Sequence, residues 1–311
     1  MTLIRTARAD ELPALVEHPG DAERNAATRE YLAGLLDSGC TRPQWCLVAE
    51  GGDGRPAGSA VLWTIPGQDV PLALVLFEAP EDSPETGVAL LDAAAAQARE
   101  LGATELEHVL DSPAQAPQFQ RDPQRRQELL VTAGFGLIRD GLRFRRTLSG
   151  EQLPADDARL DFRSLAVIGR EPFIDALEEL LADTADARLT ADVAAHGLRP
   201  AAELLFEQTA GLRHEPEWWE LGYAADGTPA VVSLPAENPS VPVIGFVGVT
   251  PAHRGNGYAA SVVRRSTRIL AANGATEIRG DCDRANVAMA KAFRSAGYEN
   301  FAGRLEFSRP L

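Results

Sequence analysis

The chain has 311 residues, 45% hydrophobic and 24% charged, with a formal net charge of −15 and three cysteines, Cys40, Cys46 and Cys282. That composition suits a globular protein with room for two ordinary domains, and three scattered cysteines give neither a disulfide framework nor metal-ligand spacing, so no metal and a reducing cytoplasm are expected. The acidic balance argues against nucleic acid as a partner; an N-terminus without an apolar leader, and no run near about 18 uncharged apolar residues, argue against secretion and a membrane span.

In chain order, the pattern predicts a strand at 3–8, helical sequence over 10–38, a hairpin at 45–65, a buried strand at 70–78, a helix at 86–101, a strand at 103–110, a helix at 124–133 and a strand at 138–147. SGEQLPADDA at 149–158 is polar, contains Gly and Pro, and reads as a linker. The same order then returns. RLDFRSL is a short strand, and 170–210 carry amphipathic helical patterns with Leu177, Leu180 and Leu181 on a core face. WWELGYA, an Asp-Gly turn and PAVVSLP form a hairpin. VPVIGFVGV is a buried strand, 256–272 a helix, TEIRGDCD a strand, 285–296 a helix and GRLEFSR the last strand.

The recurrence extends to residues. Gly102-Ala103-Thr104-Glu105 returns as Gly274-Ala275-Thr276-Glu277, Asp111 as Asp283, and Ala133-Gly134-Phe135 as Ala296-Gly297-Tyr298. LRFRRTL at 142–148 matches LEFSRPL at 305–311, and Trp45 followed by Asp53-Gly54 matches Trp219 followed by Asp226-Gly227. These matches in one order indicate a duplication, so two domains are expected, 1–150 and 151–311, each α/β with a mixed, partly parallel sheet flanked by helices. The first copy carries extra residues within PAQAPQFQRDPQRR, readable as a loop over a site, an oligomer contact or a solvent loop.

The second copy's buried strand runs into Val249-Thr250-Pro251-Ala252-His253-Arg254-Gly255-Asn256-Gly257-Tyr258-Ala259 and then a long helix. A strand, a glycine turn and a helix N-terminus together suit a phosphate, because first-turn N–H groups lack intrahelical partners and the dipole favours an anion. Arg254-x-x-Gly257-x-Ala259, preceded by Val249-x-Pro251 and followed by Asn286 and Gly297-Tyr298, resembles the signature of the GNAT superfamily of N-acyltransferases. Through the repeat the whole chain resembles a tandem GNAT fold, an arrangement similar to that of mycothiol-synthase-type enzymes.

The resemblance implies acetyl-CoA or another acyl-CoA as co-substrate. Backbone N–H groups of Arg254, Gly255, Asn256, Gly257, Tyr258 and Ala259 would hold its pyrophosphate. Phe246, Val247, Gly248 and Val249 would bond the pantetheine arm as an added strand, with strands 243–249 and 277–283 splayed to admit it. Asn286 would lie beside the cofactor, or serve as a helix N-cap. It further implies direct attack of a small-molecule amine on the thioester, with the oxyanion near the Val247 N–H.

The family's usual tyrosine, seven residues after the Asn, is Phe293 here, and 243–249 hold no carboxylate. Asp281, Asp283, Glu237, Glu220 and Tyr298 are therefore the acid–base candidates, beside a water; His253 suits a turn or phosphate contact. Trp218, Trp219 and Tyr223 are core residues or acceptor-pocket lining. In the first copy the turn reads Phe77-Glu78-Ala79-Pro80-Glu81-Asp82-Ser83-Pro84-Glu85-Thr86-Gly87, with acids where a pyrophosphate would sit, so that copy is expected to bind no CoA. The acidic surface leans towards a cationic acceptor. Monomer and homodimer both fit the tandem. A silent CoA-binding sensor or scaffold is the reading from another class, and turnover separates the two.

Overall fold

The computed structural model describes residues 3–15, 17, 20–52, 54–150 and 153–311. Asp53 of the first hairpin turn, and Glu151 and Gln152 of the expected linker, lie outside them. The chain forms two compact units, Met1–Arg139 with Ala302–Leu311, and Asp140–Phe301.

Unit 1 contains β1 (Leu3–Thr6), α1 (Ala22–Asp37), β2 (Cys46–Glu50), β3 (Pro56–Trp63), β4 (Ala73–Glu78), α2 (Pro84–Glu100), β5 (Glu105–Ser112), α3 (Pro123–Thr132) and the start of β6 (Gly136–Thr147). Unit 2 contains the rest of β6, then β7 (Asp161–Ser164), α4 (Leu165–Ile168), α5 (Glu171–Leu181), α6 (Ala187–His196), α7 (Leu198–Ala210), β8 (Glu220–Tyr223), β9 (Pro229–Glu237), β10 (Pro242–Val249), α8 (Tyr258–Ala272), β11 (Glu277–Asp283) and α9 (Val287–Ser295). β12 (Glu299–Pro310) starts in unit 2 and ends in unit 1. The helical sequence over 170–210 is three helices. Asp186 starts the second by accepting the Leu189 N–H, and Gly197, at φ +88°, ends it.

Both units repeat one strand order, β1-β2-β3-β4-β5 and β7-β8-β9-β10-β11, antiparallel except for the parallel pairs β4–β5 and β10–β11. The units are not the halves divided at 150/151. The sixth strand of each comes from the other copy: β12 pairs with β5, Gly303 opposite Ser112 and Pro310 opposite Glu105, while β6 pairs with β11, Gly141 opposite Asp283 and Thr147 opposite Glu277. The similar endings seen in the sequence have exchanged places, and their aromatics with them. Phe307 is fully buried in the core with Leu106, Leu110 and Leu129, and Phe144 in the core with Ile278 and Phe293.

Phe144 stacks on Phe293 at 4.9 Å. A Cβ on Gly280 would lie 2.7 Å from the Phe293 ring, so β11 needs glycine there. The first copy reaches the same end with His108 in place of Gly280 and the smaller Leu130 in place of Phe293.

His108 is wholly buried, with Nδ1 2.6 Å from the Leu74 carbonyl and Nε2 without a hydrogen-bond partner among the described residues. A carbonyl only accepts, so Nδ1 carries the proton. Burial holds the imidazole down to about 4, against an unfolded value of about 6.5. The unfolded chain then binds the extra proton between those values, so stability contributed by neutral His108 is complete above about pH 6.5 and falls towards pH 4. Urea midpoints measured from pH 7 to pH 4.5 are expected to fall less steeply in His108→Gln; parallel curves would remove His108 as the cause.

Candidate functional site

β10 pairs with β9 along its length, with a bulge between Ile244 and Phe246. Towards β11 it has a single register pair, Val243 opposite Arg279. Beyond that pair Phe246–Val249 and Asp281–Asp283 share no register, so the two strands open towards their C-terminal ends, where an extended chain can add to the bare edge of β10. Gly248 faces α5, where a Cβ would meet Leu180 at 2.8 Å. Val247 and Val249 pack instead with Tyr258 and Val262, on the α8 side.

At the end of β10 the chain makes a tight turn over Pro251–His253 and enters α8 through Gly255 and Gly257, at φ +84° and +78°, angles that favour glycine. Gly257 is the N-cap, and no side chain caps the helix. The first N–H groups of α8, starting at Tyr258 and Ala259, are thus orphan donors beside the positive dipole end. Residues 254–257 are exposed. Arg159 supports the turn from outside, donating to the Asn256 carbonyl at 3.1 Å and lying 4.7 Å over the Tyr258 ring. Asp157 holds Arg159 and accepts from Ser261 at 2.8 Å; its arginine partner keeps its carboxyl well below the usual range. Neither residue carries a motif, so the sequence gives no sign of this brace.

Arg254 is ion-paired with Asp183 just past α5, and also donates to the Asp183 carbonyl at 2.8 Å. Both side chains are largely solvated, so the pair is weak, worth about 0.2–1 kcal/mol. Asp183 nevertheless occupies the charge an incoming phosphate would use. Asp183→Asn is expected to tighten acetyl-CoA two- to fivefold by calorimetry, an effect lost at high salt. Unchanged affinity at low salt would show that Arg254 takes no part.

The remaining candidates are scattered. Asn286 caps α9, accepting the Met289 N–H at 3.0 Å. Tyr298 is in the core, its hydroxyl 2.8 Å from that of Thr267 and pushed above the usual tyrosine range by burial. Asp283 is buried and accepts the Ala187 N–H of α6 at 2.7 Å. Glu237 is ion-paired with Arg213, and Glu220 is buried with both carboxylate oxygens on Arg265 at 2.7 Å. Asp281 is exposed on β11. His253 bonds Thr250 and Thr228 at the base of the turn. Trp219 is fully buried, its indole N–H on the Pro235 carbonyl, with His214 stacked at 4.1 Å; Trp218 is buried too. Among the described residues no three His, Cys, Asp or Glu converge as metal ligands, and no helix is long and apolar enough to cross a membrane.

Unit 1 has the same opening, β4 and β5 sharing only the pair Ala73–Glu107, but the chain fills it. Arg126 bonds the Phe77 carbonyl of β4, and Gln120, from the extra segment, donates to the Val109 carbonyl of β5 at 2.8 Å. Both side chains are buried, so the extra residues fold into their own unit.

Residues 210–298 match the model of the Acetyltransferase (GNAT) family, whose members transfer acyl groups. No curated protein matches the chain. Among solved structures, a GCN5-related N-acetyltransferase from Sphaerobacter thermophilus aligns with 99% of this chain and 95% of its own at 17% identity and a TM-score of 0.65. A tandem GNAT protein from the clavulanic acid biosynthesis pathway aligns over 100% and 98% at 15% identity and 0.53. The glucosamine N-acetyltransferase region of a fungal multi-domain GH3 β-N-acetylglucosaminidase aligns with 99% of this chain and 38% of that one at 15% identity and 0.56. At these identities the likeness is one of fold, and the fold is the mixed α/β fold of GNAT proteins.

Proposed function

We propose that unit 2 binds acyl-CoA and passes its acyl group to the amine of a small molecule, and that unit 1 binds none. The observation that carries this reading is the opening between β10 and β11 leading to the uncapped N-terminus of α8. An amine nitrogen would attack the thioester carbon of acyl-CoA, forming the amide as the C–S bond breaks and CoA leaves as the thiolate. The chain's part is mostly position and charge. The N–H groups from Arg254 to Ala259 hold the pyrophosphate, and Arg254 exchanges Asp183 for it. The edge of β10 from Phe246 to Val249 bonds the pantetheine, and the backbone N–H near Val247 donates to the developing oxyanion. Asp281 is the candidate carboxylate exposed on β11, two residues from the apex pair, and we assign it the amine's proton, directly or through water. Asp283, Glu237 and Tyr298 then keep the structural bonds described above.

The test is CoA release from acetyl-CoA by the full chain across a panel of small amines. Turnover with at least one amine is expected, with kcat about a hundredfold lower in Asp281→Asn. Release with no amine sinks the assignment of transfer; an unchanged Asp281→Asn sinks that of the base.

A further inference from the structure

Arg145 on β6 and Arg279 on β11 stand directly opposite each other. Like charges in that register destabilise a sheet. Arg279 is also the apex residue, opposite Val243 where β10 and β11 part. The pair faces away from α9. Gly280 and Phe144, which flank it along their strands, turn towards Phe293 on α9, while Asp283, in phase with Arg279, reaches the N–H of Ala187 on α6. So two cations sit at the closed end of the opening, on the α6 side of the sheet.

Their surroundings steady the pair. Each guanidinium lies over Phe301, at 5.4 Å for Arg145 and 5.5 Å for Arg279, and Arg143 shares that ring at 5.0 Å. Each also holds one glutamate through Nε: Arg145 bonds Glu299 at 2.6 Å, and Arg279 bonds Glu277 at 2.7 Å. Neither arginine has a hydrogen-bond acceptor on its Nη atoms among the described residues, and both side chains keep more than a third of their surface exposed. A planar fork with paired N–H groups matches a carboxylate, which can accept two parallel bonds. An aromatic floor offsets part of the mutual repulsion, and a bound anion would offset more.

We propose that Arg145 and Arg279 are the carboxylate-binding part of the acceptor site, so the acceptor is an amine that also carries a carboxylate. The proposal rests on acyl transfer in unit 2 and narrows its substrate. It also revises the expectation of a cationic acceptor, because a net charge averaged over the chain says little about the few residues at the apex.

The test uses the full chain loaded with CoA and, by calorimetry, matched probes: phenylalanine, glutamate and lysine, each against its α-carboxamide, together with spermidine, ethanolamine and phosphoethanolamine. The same set is run as acceptors for CoA release. At least one amino acid is expected to bind tenfold or more better than its amide. Arg145→Gln and Arg279→Gln are expected to reduce that preference below threefold, with acetyl-CoA affinity held within twofold. Arg279→Lys, which keeps the charge without the fork, is expected to restore part of it. No preference in any pair, a preference that survives both variants, or preference only for spermidine or for phosphoethanolamine overturns the proposal. Carboxylate binding without CoA release would sink the transfer reading and leave this site standing; equal acylation of acids and amides would do the reverse.

Discussion

Gly257→Glu is expected to weaken acetyl-CoA binding by about a hundredfold, which calorimetry would register as loss of the one site we propose per chain. Two costs combine. Gly257 sits at φ +78°, where a residue with a Cβ pays about 1–2 kcal/mol. The new carboxylate would stand at the N-terminus of α8, and two charges about 4 Å apart at an effective dielectric of 20 repel by about 4 kcal/mol. Solvent at this exposed turn reduces the repulsion, yet it stays of the order of the roughly 2.7 kcal/mol that a hundredfold loss requires. Nothing within 4 Å of the new Cβ is displaced, but the positive φ strains the fold with or without ligand, so the thermal midpoint should fall by a few degrees. Gly257→Ala separates the terms, carrying the backbone cost alone. The matching change in unit 1, Glu81→Arg with Asp82→Gly, should leave one site, because Arg126 and Gln120 still fill the opening there. Binding indifferent to Gly257 would remove the turn from the cofactor's path, and two sites would overturn the reading of unit 1.

The second large effect is on stability. Arg24 and Arg126, both buried, share one carboxylate, Glu78 at the end of β4, with Arg24 on Oε1 at 2.6 Å and Arg126 on Oε2 at 2.5 Å. Glu78→Gln keeps the shape but takes away the anion that both cations share. Removing one partner of a buried ion pair costs about 3–5 kcal/mol. Urea unfolding of the full chain should show a transition lowered by that order, and a shift below about 1 kcal/mol would mean that solvent, not Glu78, carries these charges. The sequence hid this cluster. Arg24 lies in a helix with little apolar periodicity, Arg126 in a Gln/Arg-rich stretch that reads as surface, and Glu78 at a strand end where solvation is usual.

That contrast marks what was legible. Local patterns were: the apolar run of β10, the glycine turn and the duplicated order of elements each follow from a few adjacent residues. Pairings of distant lone charges were not, so Asp183 against Arg254 and Arg159 against the Asn256 carbonyl had no sequence signal. Tyr298 and Asn286 were visible as residues but not as neighbours; only packing shows one hydroxyl spent on Thr267 and one amide spent on the Met289 N–H. The forks of Arg145 and Arg279 come from the two sides of a copy-to-copy pairing that likeness between the endings disguises. Leu142 and Phe144 suit either core as well as Leu305 and Phe307 do, so pattern alone cannot say which strand closes which sheet.

The exchange of those two strands sets an order on assembly. On a ribosome, Met1–Arg139 emerges first but lacks the strand that pairs with β5, and that strand is made only after all of Asp140–Phe301. The middle of the chain is contiguous and can condense as soon as it is complete, whereas the beginning must wait for the end. Unit 1, begun before the middle, is therefore completed after it, with β5 left as an open edge for the whole interval, the stage at which such edges seek other partners. The same dependence ties the final ten residues to the first domain rather than to the one they follow in the sequence. A cut between the copies would leave each sheet's sixth strand on the other fragment, so neither half made alone carries a complete sheet.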